Sequence, residues 1–466
     1  MKSEQNPVKK LQLFDTYRRG IYPFYPISDE VVSIYICGPT VYNYAHIGNL
    51  RNYVFVDVLK RVLRINDYTV QDVMNITDVG HLSSDADSGE DKMQIGARQQ
   101  QRCAWEIAKY FETAFLDDLT ALEVSHAGVV CRATEHIDEQ ISYIVQLEAK
   151  GFTYQTPDGI YFDTQMLDSY GYIARLNIAG QQGGKRVDLG HKRHLTDFAL
   201  WKFSVTKDDT KERQMQWSSP WGTGFPGWHI ECSAMSEKYL GPRFDIHVGG
   251  EDHISVHHAN EIAQCEARYG EQPASFWMHG RFLQLDGEKL SKSGKSLRLL
   301  DLVNRGYEPL DFRYLLLTSH YRSHLNFSIK ALNSAARALK RLRTMLATWP
   351  SFGEINVGYK NSFVGLVNHD LKMPQALAVL WQVTKSGLSN ADKKATIYFF
   401  DKILGLSLSQ QVAVKEYPQA IIDLANNRDE ARKNQRWQQS DAIRKELSDL
   451  GYLIVDGKSG YKIKRI

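Results

Sequence analysis

Cys37-Gly-Pro-Thr-Val-Tyr-Asn-Tyr-Ala-His46-Ile-Gly-Asn49 is the stretch whose reading decides the fold. Before it, the apolar, β-branched run Val31–Ile36 reads as a buried strand that opens into a loop at Cys37-Gly-Pro. After it, Val54, Val58, Leu59, Val62 and Leu63 recur at helical spacing between Asn49 and Ile65, and Tyr68–Ile76 reads as the next strand. Strand, helix and strand in that order make a β–α–β unit, the natural start of an α/β fold with a doubly wound, parallel, Rossmann-like sheet. Ligands bind such sheets at the carboxyl ends of the strands, and the start of a helix there favours phosphate.

Farther along, Asp78–Asp91 is rich in Asp, Ser and Gly and reads as loop, followed by one long helix from about Asp91 to Leu122 and another over Glu135–Lys150. Short aromatic strands such as Gly159–Phe162 and Gly-rich turns then mark 125–225 as an insertion that splits the sheet. Strand logic resumes at Arg243–Val248, with a helix from about Ser255 to Tyr269 and a strand around Phe276–Leu285. Beyond residue 305 the pattern is helical, and Ser328–Ala347 carries Leu332, Ala335, Leu339, Leu342 and Leu346 on one face and no acid. The expected divisions are 1–124 and 226–304 for the two halves of the catalytic sheet and 125–225 for the insertion. A helical bundle over 305–415 and a small α+β module over 416–466 complete the chain.

The 466 residues exceed one core, and a net charge of +3 permits a local nucleic-acid patch without demanding one. Five cysteines, odd in number and widely spaced, argue against a disulfide scaffold and for a reducing, cytoplasmic setting. The N-terminus has no apolar core typical of a signal peptide, and no apolar window is long enough to span a membrane.

Four residues read as a candidate metal site. Cys37 ends a strand, Cys232 lies in Gly227-Trp-His-Ile-Glu-Cys, and His257 and Glu261 are one helical turn apart. Zn²⁺ accepts such a Cys/Cys/His/Glu set, although two distant cysteines are more often plain buried thiols. His46 and Asn49 can donate to a triphosphate at the helix start or simply cap it. Gly249 and Gly250 would let the backbone approach an adenosine, with Asp252 accepting from an amine or hydroxyl, though most Gly-Gly pairs are only turns. Lys292, in Lys289-Leu-Ser-Lys-Ser293, can neutralise charge developing on phosphates, against the plainer reading of a solvated basic loop. His229, His247, His253 and His258 crowd the same region and divide between orienting residues and core.

These motifs, with Asn75-Ile-Thr-Asp78, Phe225–Met235, His257–Gln264 and His320-Tyr-Arg-Ser, resemble the class I aminoacyl-tRNA synthetases, and among them the cysteinyl-tRNA synthetases, from about Leu13 to the C-terminus. The resemblance implies that L-cysteine and ATP form cysteinyl-adenylate, from which the cysteinyl group passes to the 3′ end of tRNA(Cys). It implies one Zn²⁺ on Cys37, Cys232, His257 and Glu261, and ATP used with Mg²⁺. A soft cation takes a thiolate and not a serine hydroxyl, so no editing site is needed. It further implies an amino-acid pocket at Cys37, Thr77, Trp228 and Asp252, and ATP contacts at His46, Gly48, Asn49, Gly249, Gly250, Asp252, Lys289 and Lys292. His46, Asn49 and Lys292 are the catalytic candidates.

For tRNA, the acid-free helix offers Arg337 and Arg341, and the run from Arg428 to Arg444 resembles a small anticodon-binding module with Trp437 and Asp441. Trp437 serves equally as a stacking platform or a helix-core residue. A monomer that does not engage membranes is expected. Two features depart from the family pattern: Asn49 stands where histidine is common, and Leu290 and Gly294-Lys295-Ser296 alter the lysine loop. Competing readings are a paralogous ligase that passes activated cysteine to an amino sugar, which would lack a tail like 421–466, and a catalytically silent paralogue.

Overall fold

The computed structural model describes residues 10–80, 93, 95–96, 102–175, 191–204, 213–285, 288–289, 297–409, 419–457 and 460–465. It forms two compact units, 1–409 and 410–466. In the first, a hairpin of β1 (Gln12–Asp15) and β2 (Gly20–Pro23) leads into β3 (Val31–Ile36), α1 (Ile47–Ile65), β4 (Thr69–Ile76), α2 (Ala104–Ala121) and β5 (Val129–Arg132). α3 (Ile137–Ala149) precedes an antiparallel sheet of β6 (Thr153–Thr156), β7 (Gly159–Phe162), β8 (Phe198–Phe203) and β9 (Gly224–Pro226). The chain then returns through α4 (Ile230–Leu240), β10 (Phe244–Gly250), α5 (His257–Tyr269) and β11 (Ala274–Gly280).

Five strands make the central sheet in the order β11-β10-β3-β4-β5, every neighbouring pair parallel. Val32, Ile34, Tyr35 and Ile36 of β3 are all buried, as befits a strand covered on both faces. The first strand of each half, β3 and β10, lie side by side, and the halves wind outward from them. The topological switch point therefore falls between their carboxyl ends, where an open α/β sheet forms its crevice. There Cys37 N donates to Val248 O at 3.0 Å. A Cβ at Gly38 would sit 1.6 Å from the Asn75 carbonyl oxygen, so only glycine lets the ends of β3 and β4 approach.

Three sequence expectations change. The single helix expected over 91–122 is interrupted: Arg102 is a bend, and Cys103 is extended at φ −74°, ψ 158° with its N–H on the Glu106 carboxylate, so α2 starts afresh at Ala104. The strand expected over 276–285 breaks at Arg281-Phe282 into β11 and β12 (Leu283–Leu285), because Arg51 binds both intervening carbonyl oxygens and Glu251 accepts from Phe282 N. In addition, β5 pairs with β4, so the parallel sheet runs past residue 124.

β12 joins β13 (Glu288–Lys289) and β14 (Leu325–Phe327) in a small sheet. The chain also forms α6 (Leu299–Asn304), α7 (Pro309–Leu317), α8 (Ile329–Thr348), α9 (Val357–Val367), α10 (Met373–Lys385) and α11 (Asn390–Leu404). The predicted stripe of α8 is its buried face: Leu332, Ala335, Leu339, Leu342 and Leu346. Fully buried Arg313 of α7 binds Asp57 of α1 at 2.6 Å and the carbonyl oxygens of Leu122 and Leu404. In the second unit, α12 (Gln419–Lys433), α13 (Trp437–Asp449) and the hairpin β15 (Tyr452–Gly457)–β16 (Gly460–Arg465) enclose Ile421, Ala425, Leu447, Tyr452 and Ile454. Among the described residues, no helix is long and apolar enough to cross a membrane.

Candidate active site

At the switch point lies a cleft of about 770 Å³, lined by the loop after β3, the start of α1, and residues from α4 and the end of β10. Cys37 follows β3, Cys232 sits in the first turn of α4, and His257 and Glu261 occupy successive turns of α5. All four are buried, and one ligand atom from each lies within 4.8 Å of every other. His257 Nε2 is 3.4 Å from Cys232 Sγ and 3.1 Å from Glu261 Oε1. Its other ring nitrogen meets His229 Nδ1 at 3.0 Å, which leaves Nε2 for the cluster.

A rival set satisfies the same distance: Cys37, His247, His258 and Glu261. Cys37 Sγ lies 3.3 Å from His258 Nε2, and His247 Nε2 lies 2.8 Å from Glu261 Oε2. Cys37, Cys232 and His257 line the cleft, however, whereas neither His247 nor His258 does. The first set thus has three of its four residues on the cleft wall and the rival set only Cys37, which favours the first for presenting an ion to a ligand there. The third cluster, Asp163, His194 and Asp197, has its buried carboxylate already engaged by Tyr154, His194 N and Thr164.

Electrostatics favour a cation here. Burial opposes ionisation of Cys37, but its hydrogen bond with Cys232 and the nearby His258 and His247 outweigh that cost and hold the thiol well below its usual range. Burial, together with Cys37 and Glu261, pushes Cys232 well up. Glu261 is drawn down to about 2, because His247 and His257 outweigh its burial. A thiolate at Cys37 and the Glu261 carboxylate thus disfavour a second thiolate at Cys232, and Glu261 Oε1, 3.1 Å from His257 Nε2, is buried without a well-aligned hydrogen bond. Two thiols, an imidazole and an unsatisfied carboxylate oxygen suit Zn²⁺.

Beside the cluster, Thr77, Trp228 and Asp252 line the cleft, with the Trp228 ring 4.7 Å from that of His257. His46, Gly48, Asn49 and Gly250 line it as well. Gly249 does not; a Cβ there would meet His253 and His258 at 2.6 Å, so its glycine serves close packing behind the cleft. Lys289 lies in β13, its backbone paired with Gln284, and Lys292 lies outside the described residues. Arg337 and Arg341 are exposed on α8, while Trp437, 58% exposed, and Asp441 are exposed on α13 of the second unit.

Residues 23–337 match the family described as tRNA synthetases class I (C) catalytic domain. The chain is 53% identical over 457 residues to a cysteine–tRNA ligase 1 of Burkholderia lata, covering 97% of this chain and 96% of that one. It is 39% identical over 491 residues to the cysteine–tRNA ligase of Treponema denticola, covering 97% and 99%. The chain belongs to the cysteine–tRNA ligase family. A Mycobacterium tuberculosis methionyl-tRNA synthetase bound by methionyl-adenylate shares the class I fold, with a TM-score of 0.54 at 14% identity over 83% of this chain and 92% of that one.

Thr40, Asn75 and His253, to which the sequence alone assigns no individual role, also line the cleft. Asn75 lies within the Asn-Ile-Thr-Asp block that carries the family resemblance. His253 is one of the crowded histidines, and it sits in the 3₁₀ turn Glu251–His253 beside the cleft.

Proposed function

We propose that the cleft activates L-cysteine with ATP and transfers the cysteinyl group to the 3′ end of tRNA(Cys). The observation that carries this reading is the Cys37/Cys232/His257/Glu261 cluster opening onto a cleft at the N-terminus of α1. In the first step, a carboxylate oxygen of cysteine attacks the α-phosphorus of ATP and pyrophosphate leaves. In the second, the terminal ribose hydroxyl of tRNA attacks the activated carbonyl and AMP leaves. When bound by the four residues, Zn²⁺ supplies a soft Lewis acid that takes the thiolate of cysteine in preference to the hydroxyl of serine.

The chain's own groups do the rest. Thr77, Trp228 and Asp252 surround the amino acid beside Cys37. His46, Gly48 and Asn49 hold phosphates at the α1 N-terminus, where the helix dipole favours negative charge. Gly250 and Asp252 bound the nucleoside side, while Gly249 packs behind the cleft, and Lys289 and Lys292 offset charge on the phosphates together with Mg²⁺. Arg337 and Arg341 of α8 contact the tRNA backbone, and Trp437 and Asp441 meet its unpaired anticodon bases. On this reading the catalytic sheet comes from 1–132 and 226–304, extended past 124 by β5, with the rest up to 225 a connective insertion, 305–415 a tRNA-binding bundle and 416–466 the anticodon module of a cytoplasmic monomer.

Cysteine-dependent pyrophosphate exchange and charging of bulk tRNA with cysteine, each repeated with serine, test the reading. Exchange and charging with cysteine alone are expected. Exchange without charging would point to another acceptor, and absence of both would remove the assignment.

A further inference from the structure

Thr77 stands at the cleft wall with its hydroxyl already committed on two sides. Thr77 Oγ1 donates to Glu231 Oε1 at 2.7 Å and accepts from Asn75 Nδ2 at 3.2 Å. The orientation of the Asn75 amide is fixed independently, because its Oδ1 accepts from Gly38 N at 2.8 Å. Asn75, Thr77 and Glu231 are each almost wholly buried, so no bulk water competes for these bonds. The chain of bonds joins the residue after Cys37 to the residue before Cys232.

A hydroxyl has one hydrogen to give and two lone-pair sites. Glu231 takes the hydrogen and Asn75 one lone pair, which leaves the other lone pair for the cleft that Thr77 lines. Thr77 therefore meets a ligand as an acceptor. Glu231 is absent from the cleft lining, so it acts only through Thr77.

We infer that Glu231 and Asn75 are positioning residues that fix the polarity of Thr77, making it a selective acceptor for the ammonium group of the substrate amino acid. The inference rests on the proposed cysteine activation and adds a specificity determinant to it. Recognition is then divided: the cysteine cluster examines the sulfur, and Thr77, held by Glu231, examines the amino group. A thiol acid without an amino group would occupy the sulfur position yet gain nothing from Thr77.

The test compares cysteine with 3-mercaptopropionate in pyrophosphate exchange by wild type, Glu231→Met and Glu231→Gln. Methionine has similar bulk and no oxygen, whereas glutamine keeps an Oε1 acceptor. Glu231→Met is expected to raise KM for cysteine about tenfold, the scale of one lost hydrogen bond to a charged group, with kcat and bound zinc little changed. The inhibition constant of 3-mercaptopropionate should not move, and Glu231→Gln should behave like wild type. If inhibition weakens in parallel with KM, if Glu231→Gln is as impaired as Glu231→Met, or if neither changes KM, the inference is wrong. Should Glu231→Met fail to fold, Thr77→Val takes its place, with Thr77→Ser expected to restore selectivity and its failure to do so counting against the inference. Absence of cysteine-dependent exchange in wild type would instead remove the underlying reading.

Discussion

His46 and Asn49 cap α1 reciprocally: Asn49 N donates to His46 Nδ1 at 3.1 Å, and His46 N donates to Asn49 Oδ1 at 3.1 Å. Asparagine here supplies the acceptor of a capping box while its amide nitrogen remains available as a donor at the cleft it lines. The two readings left open by the sequence thus describe one arrangement: the cap holds the side chain where it can also serve a phosphate.

Asn49→Asp separates those roles. An aspartate keeps the cap and suits the helix start, but it loses the amide donor and brings negative charge toward phosphate. KM for ATP is expected to rise at least about tenfold with the melting temperature unchanged. Asn49→Ala should lose both, with α1 destabilised by about 1 kcal/mol. Thermal melts alongside exchange at varied ATP decide the matter; an unchanged KM in Asn49→Asp would leave Asn49 as a cap only.

Cys232→Ser should abolish metal retention and cysteine activation together, because a buried hydroxyl cannot replace a thiolate donor beside Cys37 and His257. Metal analysis of the purified variant and pyrophosphate exchange check this. Full exchange in a metal-free variant would contradict the assigned cluster.

Lys292→Ala should slow adenylate formation about a hundredfold while KM for cysteine changes little, since a cation facing the leaving phosphates acts on the transition state. Pre-steady-state exchange gives the rate. A variant as fast as wild type would remove that role from Lys292.

The buried pair Asp57–Arg313 should shape acid stability. Burial opposes the charge of Asp57, but Arg313 and Arg61 outweigh it and lower the carboxyl from 3.8 to about 2. Burial also works against Arg313, yet a guanidinium with these acceptors stays charged, so the acid side governs the pH response. A depressed carboxyl pKa gives stability that is complete above about pH 4 and lost as pH falls toward 2, amounting to about 2 kcal/mol. Denaturant unfolding of wild type and Asp57→Asn should therefore show a stability gap that narrows between pH 6 and pH 2.5. A constant gap would mean that the ion pair does not supply it.

What the sequence revealed followed from periodicity and from residue types that travel together. β3 was legible because burial on both faces leaves a nearly continuous apolar strand, and α1 and the buried stripe of α8 follow from the helical spacing of their apolar residues. The helix break at Cys103 was not, because cysteine carries little capping signal and the cap depends on Glu106 reaching back. The kink at Arg281-Phe282 depends on Arg51 and Glu251, partners far away in the chain. His247 and His258 as rival donors, and Glu231 behind Thr77, became visible only once α4, α5 and the sheet were assembled.

X-ray absorption at the zinc edge tests the central claim most directly, because it counts sulfur atoms around the ion. Two sulfur ligands are expected in the free protein, from Cys37 and Cys232, and three after cysteine is added, with no change on adding serine. An unchanged sulfur count with saturating cysteine, or a protein that exchanges pyrophosphate at full rate with no zinc bound, would contradict it.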